Sequence, residues 1–503
     1  MSSKIKEAYK VKVDDVELDV RIIEEGNELK YMLLYPVFEA ATLAFLKKIR
    51  DKLVMETEIS TTEIASSAAT NTLREKFRYK IEEWLAIELP ELDEDAKKNM
   101  IITLLNNVLG LGDIEYLMKD NNLEEIVVNS SKEPVRVYHR KYGWLSTNIV
   151  IPEENTIENY SRLIARGVGK DISLAAPLLD AYLHTKDRVN AVLSPISDKG
   201  NAITIRMFPR DPWTITDFLE NKTVTNEVLA LIWLAIQYES NIIFSGGTGS
   251  GKTSFLNVCM PFIQPNHRIV SIEDTRELQL PTFLHWCPLK TRMASSEGEG
   301  EISMLDLLVN SLRMRPDRII FGEIRKEEEA RILFEAMHTG HSVYSTLHAD
   351  TCSQTVRRLS NPPISIPAIL LESINLIVVM FRDRRRGIRR VYQVGEIIPS
   401  EDIGGSAVVK TNVIYRWKPK EDKIVKNRPE IRFFDDLSRN TGLSKREILG
   451  DMENKKKILN WLVRYKICKV DDIGKVMRKY YLDEDNLIKL VEKNTPPEKI
   501  FIG

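Results

Sequence analysis

Cysteine is scarce in this chain of 503 residues: Cys259, Cys287, Cys352 and Cys468 are the full complement, and no two stand as Cys-x-x-Cys. That scatter speaks against a zinc module and against a disulfide framework. Net charge is nearly absent as well. Lys and Arg number 72 against 73 Asp and Glu, so no overall field draws the protein to nucleic acid or anionic lipid. Long apolar runs are missing too, since nothing approaches the ~18 residues that cross a bilayer. Two candidates, 228–233 and 376–381, have the size of a core helix and a buried strand. No apolar segment follows Met1-Ser2-Ser3-Lys4, so a secretory signal is not expected. Together these absences describe a cytosolic protein.

What is present is apolar material, 43% of the residues, and a chain this long is expected to divide it between two large domains. Residues 11–36 read as short strands, with Val16, Leu18, Val20 and Ile22 alternating and a turn at Glu25-Gly26-Asn27. Helical patterns follow at about 38–55, 61–88 and 94–109, the second stopped by Pro90 and the third by Gly110 and Gly112. Strands and turns alternate from Ile114 to Val150, with a hairpin tip at Lys141-Tyr142-Gly143-Trp144. A helix at about 155–168 and strands at about 188–193 and 202–208 complete this half. Pro209-Arg210-Asp211-Pro212 can continue neither a helix nor a central strand. The main linker is therefore placed at about 209–217.

Beyond the linker, strand patterns at 241–245, 268–273, 318–322 and 342–347 alternate with helical ones at 225–238, 252–262, 303–314 and 326–338. Such alternation implies a parallel sheet covered on both faces. A charged helical tail ends the chain. The expected order is an accessory region 1–95, an α+β domain 96–208, the linker, an α/β domain 218–425 and a helical region 426–503.

Residues Gly246-Gly247-Thr248-Gly249-Ser250-Gly251-Lys252-Thr253 match G-x-x-x-x-G-K-[ST]. The pattern follows the apolar run Asn241-Ile242-Ile243-Phe244-Ser245 and precedes Ser254-Phe255-Leu256-Asn257-Val258, which opens a helix. Glycines let the loop turn tightly and aim successive N–H groups at an anion. The following helix adds its positive end. Lys252 is expected to reach the β- and γ-phosphates of ATP, with Ser254 beside it, and the Thr253 hydroxyl to ligate Mg²⁺.

Hydrolysis also needs a carboxylate to position metal or water. Two predicted strands run into acids: Arg318-Ile319-Ile320-Phe321-Gly322-Glu323 and Ile269-Val270-Ser271-Ile272-Glu273-Asp274. Glu323 is expected to act on the metal-bound or attacking water. Glu273 and Asp274 read equally well as turn formers. Three of the seven histidines, His338, His341 and His348, fall within eleven residues. A shared metal is not expected, because residues seven apart on an unbroken strand face opposite sides. Hydrogen bonding near the terminal phosphate is the role expected of His341 and His348.

Taken in order, these segments resemble the secretion ATPases of type II and type IV systems, the superfamily driving pilus, secretion and archaellum assembly. The resemblance rests on the phosphate loop and on Ile272-Glu273-Asp274-Thr275-Arg276-Glu277-Leu278. It continues through Leu312-Arg313-Met314-Arg315-Pro316-Asp317 to Gly322-Glu323-Ile324-Arg325, then Thr339-Gly340-His341 and Ser345-Thr346-Leu347-His348. Upstream, Leu111-Gly112-Asp113-Ile114-Glu115-Tyr116-Leu117, Glu124-Glu125-Ile126-Val127-Val128-Asn129 and Pro177-Leu178-Leu179-Asp180-Ala181 look like that family's N-terminal domain. The chain is similar in style to archaellum motor and archaeal pilus assembly ATPases, and lacks the four-cysteine insertion of many bacterial members.

The resemblance implies a RecA-like domain in a hexameric ring, with ATP held between two domains. It makes Glu273 a catalytic or metal-orienting carboxylate. It also assigns arginines of the N-terminal domain to the nucleotide: Arg188 in Asp187-Arg188-Val189-Asn190, Arg206 in Ile203-Thr204-Ile205-Arg206, and Arg210 as a third. The implied partner is a polytopic membrane platform protein met at the cytoplasmic face. A nucleic-acid translocase is the competing expectation, supported by the basic stretch 382–390. That stretch reads more simply as a hairpin turning at Arg386-Gly387.

Overall fold

The computed structural model describes residues 4–501 apart from 27, 57–66, 184, 209, 211, 293, 295–299, 402–406 and 429. Asn27 of the first expected turn, residues 61–66 of the second expected helix, and Pro209 and Asp211 of the linker lie outside the described residues. The chain divides into two compact units, Met1–Arg210 and Asp211–Gly503.

The first unit is built on β1 (Lys4–Val13), β2 (Val16–Glu25), β3 (Glu28–Leu34), β4 (Leu123–Val128), β5 (Arg136–His139), β6 (Gly143–Thr147), β7 (Leu178–Tyr182), β8 (Arg188–Val192) and β9 (Ala202–Arg206). They form one sheet in the order β1-β2-β3-β6-β5-β4-β9-β8-β7. Every neighbouring pair is antiparallel except β3 and β6. Period-two patterning sets the faces: Leu18, Val20 and Ile22 of β2 are buried while Asp19 and Arg21 between them are exposed. The N-terminal strands thus share one core with the strands after residue 123. Helices Ala40–Glu56, Ser67–Glu88 and Glu94–Leu109 enclose a smaller core around Leu53, Phe77, Ile81 and Leu105.

The second unit contains β10 (Ile242–Gly246), β11 (Arg268–Glu273), β12 (His285–Lys290), β13 (Arg318–Glu323), β14 (Ser342–Leu347), β15 (Leu376–Asp383), β16 (Ile388–Glu401), β17 (Ala407–Lys418) and β18 (Lys423–Lys426). Their order is β12-β11-β13-β14-β10-β15-β16-β17-β18. The first six are parallel, and from β15 onward each strand runs antiparallel to the next. All of β10 is buried, as a strand covered on both faces must be. β10, β11, β13 and β14 therefore end along one edge, the edge of an α/β sheet where ligands bind. It collects Gly246, Glu273, Glu323 and, just past β14, His348.

Helix Asn226–Gln237 buries nine consecutive residues, 228–236. A helix apolar all round needs cover on both sides. The sheet gives one side, and the tail helices Arg432–Thr441, Lys445–Arg464, Val470–Leu482 and Glu484–Glu492 join the same core and give the other. Trp233 stacks on Phe262 at 4.9 Å and meets Tyr480 edge-on at 4.8 Å. The charged tail is thus part of the second unit's core.

Candidate active site

The glycine loop connects the end of β10 to helix Lys252–Cys259, whose N-cap is Gly251. The turn demands glycine at its root. Gly246 has φ +149°, and a Cβ there would collide with the Met380 carbonyl oxygen on neighbouring β15. Thr248, Gly249 and Ser254 are exposed, Gly247, Gly251 and Thr253 half-buried, and Ser250 and Lys252 buried. The Lys252 ammonium donates to the Gly247 carbonyl at 3.1 Å and lies 3.3 Å from His348 Nδ1. Burial holds its pKa below the ordinary lysine value, against the pull of Glu323.

From Lys252 a chain of polar contacts runs along the sheet edge. An ammonium only donates, so His348 Nδ1 accepts from Lys252 and the ring carries its proton on Nε2. Nε2 stands 3.1 Å from Glu323 Oε1. Glu323 Oε2 in turn receives Arg325 Nε and Nη2 at 2.9 and 2.7 Å, and Arg325 Nη1 reaches Asp274 at 2.8 Å. Burial, and then the Lys252 charge, lower the His348 pKa, which fits the neutral tautomer. The structure thus brings Lys252, His348 and Glu323 together. His341 stands at the other end of β14, roughly 20 Å away at ~3.3 Å per residue. There its Nδ1 lies 3.2 Å from Thr339 Oγ1 and from the Ala336 carbonyl, closing the preceding helix.

Glu273 is buried, 3% exposed. Its Oε1 accepts from the Glu277 and Leu278 amides at 2.8 and 3.0 Å, and its Oε2 is buried with no hydrogen-bond partner. Burial pushes its pKa up to about 7. An orphaned carboxylate oxygen suits a hard cation or a held water. Among the described residues no three His, Cys, Asp or Glu cluster as a metal cage. Mg²⁺ is held by one or two carboxylates together with phosphates, and the free Glu273 oxygen can serve as one of them. The residues fit the ion.

A stability prediction follows from this carboxyl. A raised folded-state pKa leaves stability intact below pH 4.5 and removes it progressively as pH rises through about 7. Glu273→Gln keeps the oxygen that takes both amides. It is expected to raise nucleotide-free stability at pH 8 by roughly 3 kcal/mol, at 1.36 kcal/mol per pH unit, and to change nothing at pH 4. Denaturant titrations of the second unit's unfolding at the two pH values check this.

In the first unit, two upstream motifs explain each other. Arg188 lies on β8 and Asp180 on β7, and the guanidinium meets the carboxylate at 3.1 and 2.6 Å. Asp187, fully buried, accepts from the Phe208 amide at 2.7 Å and Arg210 Nη2 at 3.2 Å. Arg206, exposed on β9, pairs in register with Arg188 on one side and Glu125 on the other. The three arginines therefore sit at one corner of the first sheet.

Sequence reasoning missed the work of three further arginines. Arg325 links Glu323 to Asp274, and its two acids two and fifty-one positions away gave no periodic signal. Arg389 Nε donates to the Gly249 carbonyl at 3.1 Å. Arg382 lies against the same glycine. The basic stretch was visible; its direction was not.

A family model described as type II/IV secretion system protein matches residues 179–384. MJ0900, an uncharacterized protein of Methanocaldococcus jannaschii, is 35% identical over 67% of this chain, which spans 60% of that protein's length. The type IV secretion system protein PtlH of Bordetella pertussis is 32% identical over 50% of this chain and 84% of its own. Among solved structures, the VirB11 ATPase of the Brucella suis type IV secretion system is 25% identical, with 56% of this chain and 90% of that one covered and a TM-score of 0.29.

Proposed function

The chain belongs to the type II/IV secretion ATPase superfamily, and from that premise we propose that it is a RecA-like motor hydrolysing ATP to ADP and phosphate. It works as a homo-hexameric ring and drives assembly of a type IV pilus-like filament (pilus or archaellum) or secretion of proteins. The observation that carries the reading is the contact chain from Lys252 through His348 to Glu323 at the mouth of a glycine loop.

In this reading the amides of the loop cradle the triphosphate, and Lys252 leaves Gly247 and His348 for the β- and γ-phosphates. His348, relieved of its donor, turns to the terminal phosphate. Glu323 orients the attacking water, whose oxygen bonds to the γ-phosphorus as the bond to ADP breaks. Thr253, with Glu273 and Glu323, would hold Mg²⁺, which when bound neutralises charge on the β- and γ-oxygens. Arg188 and Arg206, with Arg210 as a third, are assigned to the spreading γ-phosphoryl charge, which one arginine stabilises by about 10³–10⁵ in rate.

The proposed partner is a polytopic membrane platform protein at the cytoplasmic face. Among the described residues no helix is long and apolar enough to cross a membrane itself. A nucleic-acid translocase is less well supported. Arg390 is ion-paired with Asp422 at 2.7 and 2.8 Å, which neutralises one cation of the basic stretch, and Arg389 Nε is engaged by the Gly249 carbonyl.

Purified protein is expected to release phosphate from Mg·ATP at a rate indifferent to single-stranded DNA, and to sediment as a hexamer with a nonhydrolysable analogue. Turnover that DNA stimulates, with the steep salt dependence of phosphate contacts, would favour the translocase. Absence of any turnover would remove the reading.

A further inference from the structure

We propose that Arg389 is a positioning residue for the phosphate loop, holding the peptide between Gly249 and Ser250 so that its N–H faces the bound phosphates. The inference rests on the ATP-binding reading and deepens it.

The hairpin of β15 and β16 sets Arg382 opposite Arg389. Successive residues of a strand face opposite ways, and β16 uses both. Arg390, 6% exposed, turns to Asp422 and to the Asn221 carbonyl at 3.0 Å, which ties the hairpin down. Arg389 turns the other way and donates from Nε to the Gly249 carbonyl at 3.1 Å. Its stem lies along Gly251, where a Cβ would stand 3.4 Å from Arg389 Cδ. Gly249 has φ +70°, and a Cβ on it would stand 2.8 Å from Arg382 Nη1. The two side chains therefore stand against Gly249 and Gly251 of the loop. Like charges directly opposite on a sheet repel, and here both are turned onto one glycine.

A trans peptide points its C=O and N–H in opposite directions. Fixing the Gly249 carbonyl outward on Arg389 thus aims the Ser250 N–H inward. That N–H donates to the Gly247 carbonyl at 3.2 Å, and the Lys252 ammonium donates to the same oxygen at 3.1 Å. Gly247 is holding two donors that a phosphate would take. A third group waits beside them: the Ser250 hydroxyl, in a residue 2% exposed, is buried with no hydrogen-bond partner. Arg389 keeps this donor set aimed before the ligand arrives.

The test uses the full chain and two substitutions. Arg389→Met keeps the stem as far as the position of Nε and loses the donor. Arg389→Gln loses the charge but carries an amide nitrogen the same number of bonds from Cα as Nε. Equilibrium binding of Mg·ADP and of a Mg·ATP analogue with a γ-thiophosphate is compared with the wild type and with Lys252→Ala. Arg389→Met is expected to bind both nucleotides about tenfold more weakly, by the same factor, the size of one hydrogen bond. Arg389→Gln should stay close to wild type, and the nucleotide-free thermal midpoints should not move. Equal loss in both variants would make charge the agent and overturn the proposal. So would loss confined to the triphosphate, no loss in either, or a fall in the nucleotide-free midpoint of Arg389→Met. A wild type that binds neither nucleotide would instead remove the ATP-binding reading itself.

Discussion

Glu323→Gln is expected to bind Mg·ATP as tightly as the wild type and to turn it over about 10²–10⁴-fold more slowly, the usual worth of a positioned general base. The amide keeps the shape of the carboxylate and still offers an oxygen to the His348 Nε2–H that now lies 3.1 Å from Oε1. Arg325 keeps Asp274 as its second carboxylate, at 2.8 Å, so the edge of β13 should hold. What is lost is the negative charge that draws a proton from the attacking water. Single-turnover quenching with radiolabelled ATP separates the steps: the variant should retain unhydrolysed ATP through gel filtration. Turnover at the wild-type rate would reduce Glu323 to a structural partner of Arg325.

Lys252→Ala should abolish turnover and weaken nucleotide binding about 10²-fold or more, since two charge-assisted phosphate contacts at ~1.5–3 kcal/mol each disappear. The fold should survive. Helix Lys252–Cys259 is held by Phe255, Leu256, Val258 and Cys259, all buried, and the lysine ammonium is itself a costly group to bury at 8% exposure. The same substitution carries an internal check. The Lys252 charge lowers the His348 pKa and the Glu323 charge raises it, so removing the lysine should move that pKa up. A histidine NMR titration in which it moves down, or stays, would mean the contact between them is not made.

The loop at 246–253 could be read from the sequence because its glycines and lysine stand at a fixed spacing, with strand and helix patterns on either side. The strands at 268–273 and 342–347 have the limits their apolar runs suggest, because β-branched, fully buried runs are bounded by turns. Glu273 was not separable from an ordinary turn acid by residue type. Its distinction is burial, which belongs to the packing of β11 between β12 and β13. His341 and His348 looked equivalent as a pair. Strand length alone puts them at opposite ends of β14. The tail after 426 reads as charged and separate, yet the nine apolar residues of 228–236 already required a cover beyond the sheet. The reach of Arg389 to Gly249 spans 140 positions, and no local pattern carries such a contact.

The central claim is that the loop before Lys252 is a phosphate cradle, with the Ser250 N–H and the Lys252 ammonium both donating to Gly247 in this structure. A crystal structure with a nonhydrolysable ATP analogue and Mg²⁺ tests it most directly. The triphosphate should lie within the loop, with the Lys252 ammonium moved from Gly247 and His348 onto its β- and γ-oxygens. A nucleotide bound elsewhere, or Lys252 still on Gly247 with the nucleotide present, would contradict it.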